Sequence, residues 1–222
     1  MSAHTAWRCG ASTLLLAAVC ASAATAGTLQ ITVTSKDGQP LPDAVVLVEP
    51  ASGARGKAPA PVQASIAQHK MQFVPAVSVV PVGSRVRFTN QDGWDHHVRG
   101  VPAGMAGLTA GSGAGFELRL AGKVDGQAPA STDVVLQQPG PLQLGCHLHG
   151  SMRGFVYVAD TPWVVKTDAQ GVATLAEVPE GAARVRVWHP DQLVEGAPTS
   201  VQVQAVSTAT VPTQVVPRRR RL

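Results

Sequence analysis

Gly145-Cys146-His147-Leu148-His149-Gly150-Ser151-Met152 places a thiol, an imidazole and a thioether at Cys-x2-His-x2-Met spacing. A tight loop between two strands can turn all three side chains toward one point. Thiolate and thioether are soft donors and imidazole is borderline, so the trio suits a transition-metal ion rather than magnesium or calcium. Two imidazoles and a thiolate in a trigonal set, with a weak axial methionine, accept both Cu(I) and Cu(II). One imidazole is missing from this stretch.

It is expected from a neighbouring strand. Arg85-Val86-Arg87-Phe88-Thr89-Asn90 alternates outward and inward residues as a half-buried strand does. Gln91-Asp92-Gly93-Trp94-Asp95-His96-His97-Val98 follows. His96 and His97 point to opposite sides of an extended backbone, so one of the two can face the Cys146 loop.

The rest of the chain reads as short strands between turns. Its 22 glycines and 17 prolines against nine aromatic residues favour a turn-rich β protein, and no stretch beyond the N-terminal segment has a helical period. Apolar alternation marks strands near 28–33, 44–48, 71–80, 116–120, 133–136, 142–145 and 154–158, then at 163–166, 172–175, 184–188, 200–204 and 208–211. Residues 51–64, rich in Ala, Gly and Pro, read as a linker. The expected class is all-β, built from sandwiches.

The N-terminus carries Arg8, an apolar run at 12–21 and small-x-small sites at Ala21-Ser22-Ala23 and Ala24-Thr25-Ala26, so residues 1–26 are expected to be a secretory signal peptide. The run is shorter than the roughly 20 apolar residues a membrane span needs, so no stable span is expected in the mature chain. Val19 before Cys20 is too bulky for a lipid-attachment site. Cleavage would remove Cys9 and Cys20 and leave Cys146 as the one thiol, without a disulfide partner in an oxidising compartment. Metal ligation resolves that liability.

Net charge is misleading. Arg8 lies in the expected signal and four arginines close the chain at 218–221; without them 13 basic residues face 14 acids. Nothing in the folded part reads as a nucleic-acid surface, and residues 218–222 read as a basic disordered tail.

The Asn90-x5-His96 segment at a strand end together with Cys146-x2-His149-x2-Met152 resembles the cupredoxins of the plastocyanin and amicyanin type. Phe73-Val74-Pro75, Val82-Gly83 and Val86-Arg87-Phe88 are similar to that family's early strands, and the resemblance spans residues 65–159. It implies a Greek-key β-sandwich, one mononuclear type 1 (blue) copper, and His96, Cys146, His149 and Met152 as its ligands. Asp92-x3-His96-His97-Val98 with Phe116-Glu117-Leu118 also resembles a group of periplasmic proteins labelled as methylamine-utilisation proteins, a label that implies no methylamine chemistry. This chain has Asp95-His96-His97 where plastocyanin-like proteins have Pro-His-Asn, and a longer Gly-rich stretch at 100–115. Those departures touch the hydrogen bonding around the ligands and the reduction potential.

The flanks resemble another family, the carboxypeptidase-regulatory-like or transthyretin-like sandwich. The motif residues are Gly38-x-Pro40-Leu41-x-Asp43-Ala44-Val45, Thr167-Asp168-x2-Gly171 and Pro179-x-Gly181. With both resemblances, residues 27–50 and 160–217 form one split sandwich, and 65–159 form a cupredoxin inserted into it.

Around the ligands, Asn90, Asp95, His97 and His147 are candidates for bracing the site. His147 projects away from the ion, and one extra histidine does not build a second copper site. His69 and His189 have no ligand-spaced neighbours. The resemblance implies a periplasmic, non-enzymatic electron carrier whose partner is another redox protein. The alternatives are copper delivery and a binding sandwich with a vestigial copper loop. An oxidase would need His-x-His pairs on several segments and a histidine before Cys146, where Gly145 stands.

Overall fold

The computed structural model describes residues 25–104, 115–192 and 194–218. Residues 1–24 of the expected signal, 105–114 of the Gly-rich stretch and the last four residues lie outside it. Among the described residues there are sixteen strands and no helix.

The chain opens with β1 (Ala26–Thr34) and β2 (Val45–Pro50). It continues through β3 (Gln63–His69), β4 (Gln72–Val74), β5 (Val77–Pro81), β6 (Ser84–Asn90), β7 (His96–Pro102), β8 (Phe116–Leu120), β9 (Ser131–Leu136), β10 (Gly140–Cys146) and β11 (Arg153–Ala159). It ends with β12 (Val164–Lys166), β13 (Val172–Pro179), β14 (Gly181–Trp188), β15 (Thr199–Val203) and β16 (Val206–Pro212).

Four sheets result. Two hold only the first two and last five strands, in the orders β13-β1-β16 and β12-β2-β14-β15. They close over one core that includes Leu29, Ile31, Val46, Val48, Trp163, Leu175 and Val185. The other two hold only β3 to β11, in the orders β4-β3-β6-β9 and β5-β11-β10-β7-β8, around Ile66, Phe88, Leu144, Val156 and Val158. Cys146 and Met152 belong to this second core.

A third apolar cluster joins the two pairs. Val45 and Val164 from β2 and β12 pack with Val77 and Ala159 from β5 and β11, flanked by Leu47, Phe155, Tyr157 and Trp188. This accounts for Val45-Val46-Leu47-Val48, which is apolar at every position rather than at alternate ones. The sheet of β2 is covered on both faces here, so Val45, Val46 and Val48 are buried and Leu47 is half-buried.

Two strand expectations shift. The single apolar run at 71–80 is two strands, β4 and β5, because Pro75 between them has no N–H for a ladder. β3 begins at Gln63, inside the stretch expected as linker, where Gln63 pairs in parallel with Arg85. Between β3 and β4 the chain reverses in two residues, Lys70 (φ 51°) and Met71 (φ 58°). Such a loop requires left-handed backbone and is normally given to Asn-Gly.

Candidate metal centre

Three segments meet at one end of the second sandwich: the start of β7, the end of β10 and the loop into β11. β10 lies between β7 and β11, with Cys146 opposite Val98 and Gly145 opposite Arg153. The loop is two successive turns, His149 N–H donating to the Cys146 carbonyl (3.3 Å) and Met152 N–H to the His149 carbonyl (2.9 Å). Each turn spans one ligand spacing, which is how an eight-residue stretch aims Cys146 and His149 at the same point.

The donor atoms converge. Cys146 Sγ lies 3.6 Å from His96 Nδ1 and 3.5 Å from His149 Nδ1, and the two Nδ1 atoms are 3.2 Å apart. A triangle with those sides has a centre about 2.0 Å from each corner, matching metal–imidazole bonds of about 2.0–2.1 Å and slightly inside metal–thiolate bonds of about 2.3 Å. His96, Cys146 and Met152 are buried, and His149 is half-buried. Two imidazoles and a thiolate form the trigonal set, and Met152, buried in the same core as Cys146 and three residues after His149, offers a thioether for the axial position. It is a type 1 copper donor set.

No family model matches this chain, and no curated protein matches it. Solved structures do. An amicyanin variant in its reduced state is 21% identical over 43% of this chain and 80% of its own, with a TM-score of 0.30. A purple cupredoxin from Nitrosopumilus maritimus is 19% identical over 43% of this chain and 99% of its own, TM-score 0.31. A copper-containing nitrite reductase from Thermus scotoductus is 23% identical over 48% of this chain but only 24% of its own, TM-score 0.34. All three identities and TM-scores are low.

The buried His96 ring is fixed from behind by Asp92. Its Nε2 lies 2.9 Å from Asp92 Oδ2, so Nε2–H donates to the carboxylate and the Nδ1 lone pair is left facing Cys146 and His149. The same carboxylate accepts Lys70 N–H (2.6 Å) and Met71 N–H (3.0 Å), the two donors of the left-handed turn. Burial alone would push the Asp92 carboxyl up. The hydrogen bonds from Met71, His96 and Lys70 outweigh it and hold the group below the usual carboxylate range.

Asp92 entered the sequence reading only through the Asp92-x3-His96-His97-Val98 motif, not as a candidate for holding the site. Followed by Gly93, it reads first as a turn residue; the available signal was its place four residues before a candidate ligand.

The four bracing candidates separate. Asn90 is buried beneath the site; its Nδ2 donates to the carbonyls of Trp94 and Ala121 (2.8 and 2.9 Å), and its Oδ1 accepts Asp92 N–H (2.9 Å). It therefore ties the loop before His96 to the end of β8. Asp95 faces outward, where Gly122 N–H and the Arg119 guanidinium hold its carboxyl below the usual range. His97 and His147 lie on the opposite side of the strands from Cys146 and stack on each other.

Proposed function

We propose that this chain is an exported type 1 copper protein that carries single electrons between redox partners. The observation that carries this reading is the triangle of His96 Nδ1, Cys146 Sγ and His149 Nδ1, one thiolate and two imidazoles within bonding distance of a common centre.

When bound there, copper supplies the one-electron Cu(II)/Cu(I) couple. The protein supplies rigidity. Cys146 ends a strand paired on both sides, His96 is wedged by Asp92, and Asn90 holds the connecting loop, so the donors have little freedom to rearrange when charge changes. His149 is the ligand with an edge toward solvent. Leu148, 54% exposed, lies within the turn that His149 closes, and Trp94 and Met71 are exposed on the loops tied to Asn90 and Asp92. An exposed apolar side chain next to a half-exposed ligand in the chain suits brief docking of another redox protein. The thiolate and the buried His96 favour retention of copper over its delivery.

The same reading takes residues 65–159 as the copper unit, carried between residues 27–50 and 160–217 of the outer sandwich. It is supported by the pairing of β1 with β13 and β16, and of β2 with β12 and β14.

Adding one equivalent of Cu(II) to the mature protein is expected to give an intense blue charge-transfer absorption and a narrow copper hyperfine splitting, both lost in Cys146→Ala. A colourless complex with an ordinary tetragonal spectrum refutes the type 1 reading.

A further inference from the structure

On the outer face of the β7-β8-β10 region, directly behind the donors of the first site, two histidines and a carboxylate meet. His147 N–H donates to the His97 carbonyl (3.2 Å), which sets the two residues side by side across the strands. Their rings stack with centroids 4.8 Å apart and planes 26° from parallel. Both Nε2 atoms approach one carboxylate: His97 Nε2 is 3.7 Å from Glu117 Oε2, and His147 Nε2 is 3.7 Å from Glu117 Oε1.

At 3.7 Å neither contact is a hydrogen bond. As an ion-pair cluster the trio would contribute little, since the side chains of His97, His147 and Glu117 are 33%, 46% and 52% exposed. As a donor set it is close but not closed: among the described residues only His96, Cys146 and His149 already hold three donor atoms within 4.8 Å of one another, and this trio needs rotamer changes to do the same. Each neutral imidazole can present an unprotonated Nε2 by carrying its proton on Nδ1, and a carboxylate offers further lone pairs. Imidazole with carboxylate suits borderline divalent ions, copper ahead of nickel and zinc by the usual affinity order.

We propose that His97, His147 and Glu117 form a second, solvent-accessible site for a divalent transition-metal ion, Cu(II) by preference. Side chains this exposed can close the remaining distance by rotamer changes. Each histidine is the immediate chain neighbour of a ligand of the first site, His97 of His96 and His147 of Cys146. The strand alternation that turns His96 and Cys146 inward therefore places this pair outward, one residue along the backbone. Arg99, with Nε 3.4 Å from Glu117 Oε1, competes for the carboxylate and weakens the site.

The test is a Cu(II) titration of the full mature chain followed by calorimetry and electron paramagnetic resonance. Two saturable equivalents are expected, the second with the wide hyperfine splitting of a nitrogen-and-oxygen tetragonal site. The double variant His97→Ala/His147→Ala should lose the second equivalent and keep the first. Glu117→Gln should weaken the second by about tenfold or more, and Arg99→Gln should tighten it. Uptake of a single equivalent by the wild type, or a second equivalent unchanged in the double variant, overturns the proposal. Failure of the type 1 reading is distinguishable: it removes the blue colour, while the difference between wild type and double variant persists.

Discussion

Replacing Asp92 by Asn tests how the buried carboxylate sets the first site. Asp92 Oδ2 is 2.9 Å from His96 Nε2. Crossing the ring to Nδ1 and adding a metal–nitrogen bond of about 2 Å puts the carboxylate roughly 7 Å from the ion. At an effective dielectric constant of about 20, one unit charge at that distance contributes about 2.4 kcal/mol. The negative charge favours Cu(II) over Cu(I), so its removal should raise the one-electron potential by roughly 100 mV, taking about 59 mV per factor of ten. An Asn whose oxygen keeps the Oδ2 position can still accept from His96 Nε2–H and Met71 N–H, but its amide NH2 then faces the backbone N–H of Lys70. That mismatch should cost about 1–3 kcal/mol of stability in denaturant unfolding. Protein-film voltammetry or a redox titration of the blue absorption reads the potential. An unchanged or lowered potential in a variant that stays blue would refute the electrostatic role assigned to Asp92.

Two further outcomes are expected. Gln68 is fully buried on β3 and neither polar atom of its amide has a partner among the described residues, so Gln68→Met should stabilise the protein by about 1–3 kcal/mol; a loss in thermal or denaturant stability would instead mark the amide as hydrogen-bonded in solution. Tyr157 is the only tyrosine, and burial first, then the Asp160 charge, pushes its phenol up from 10.0 to about 12. The neutral phenol is the form the fold favours, so this contribution is complete below about pH 10 and disappears as pH rises toward 12. Absorbance of the tyrosinate should titrate near the upper value, and Trp188→Ala, which uncovers the ring at 5.9 Å, should bring it back toward 10; a wild-type midpoint near 10 would show that the cluster is open to water.

Much of the second sandwich and the donor set was legible because each rests on local rules. Alternation in Arg85-Val86-Arg87-Phe88 marks a half-buried strand whatever surrounds it, and Cys146, His149 and Met152 carry their geometry in their spacing. What escaped depends on contacts distant in sequence. Asp92 matters because the turn at Lys70 and Met71, 22 and 21 residues earlier, converges on it together with the ring of His96; the spacing to His96 is local, but nothing near Asp92 announces the turn. Likewise His147 read as an isolated extra histidine, because its neighbours His97 and Glu117 arrive from β7 and β8, some 50 and 30 residues earlier.

The third apolar cluster bears on why the copper site sits where it does. β11 turns Val156 and Val158 into the core that holds Cys146 and Met152, and Phe155, Tyr157 and Ala159 toward β2, β12 and β14. The strand that receives the ligand loop is thus covered on both faces, with Trp188 against Phe155 and Tyr157 at 5.7 and 5.9 Å. A strand buried on both sides has little freedom to shift, because any displacement must open one core or the other. The ligand loop starts from Cys146, paired through β10 to β11, and ends at Met152, one residue before β11 begins. The sheet of β2, β12 and β14 therefore backs the site: it covers the outer face of β11, and β11 in turn fixes both ends of the ligand loop.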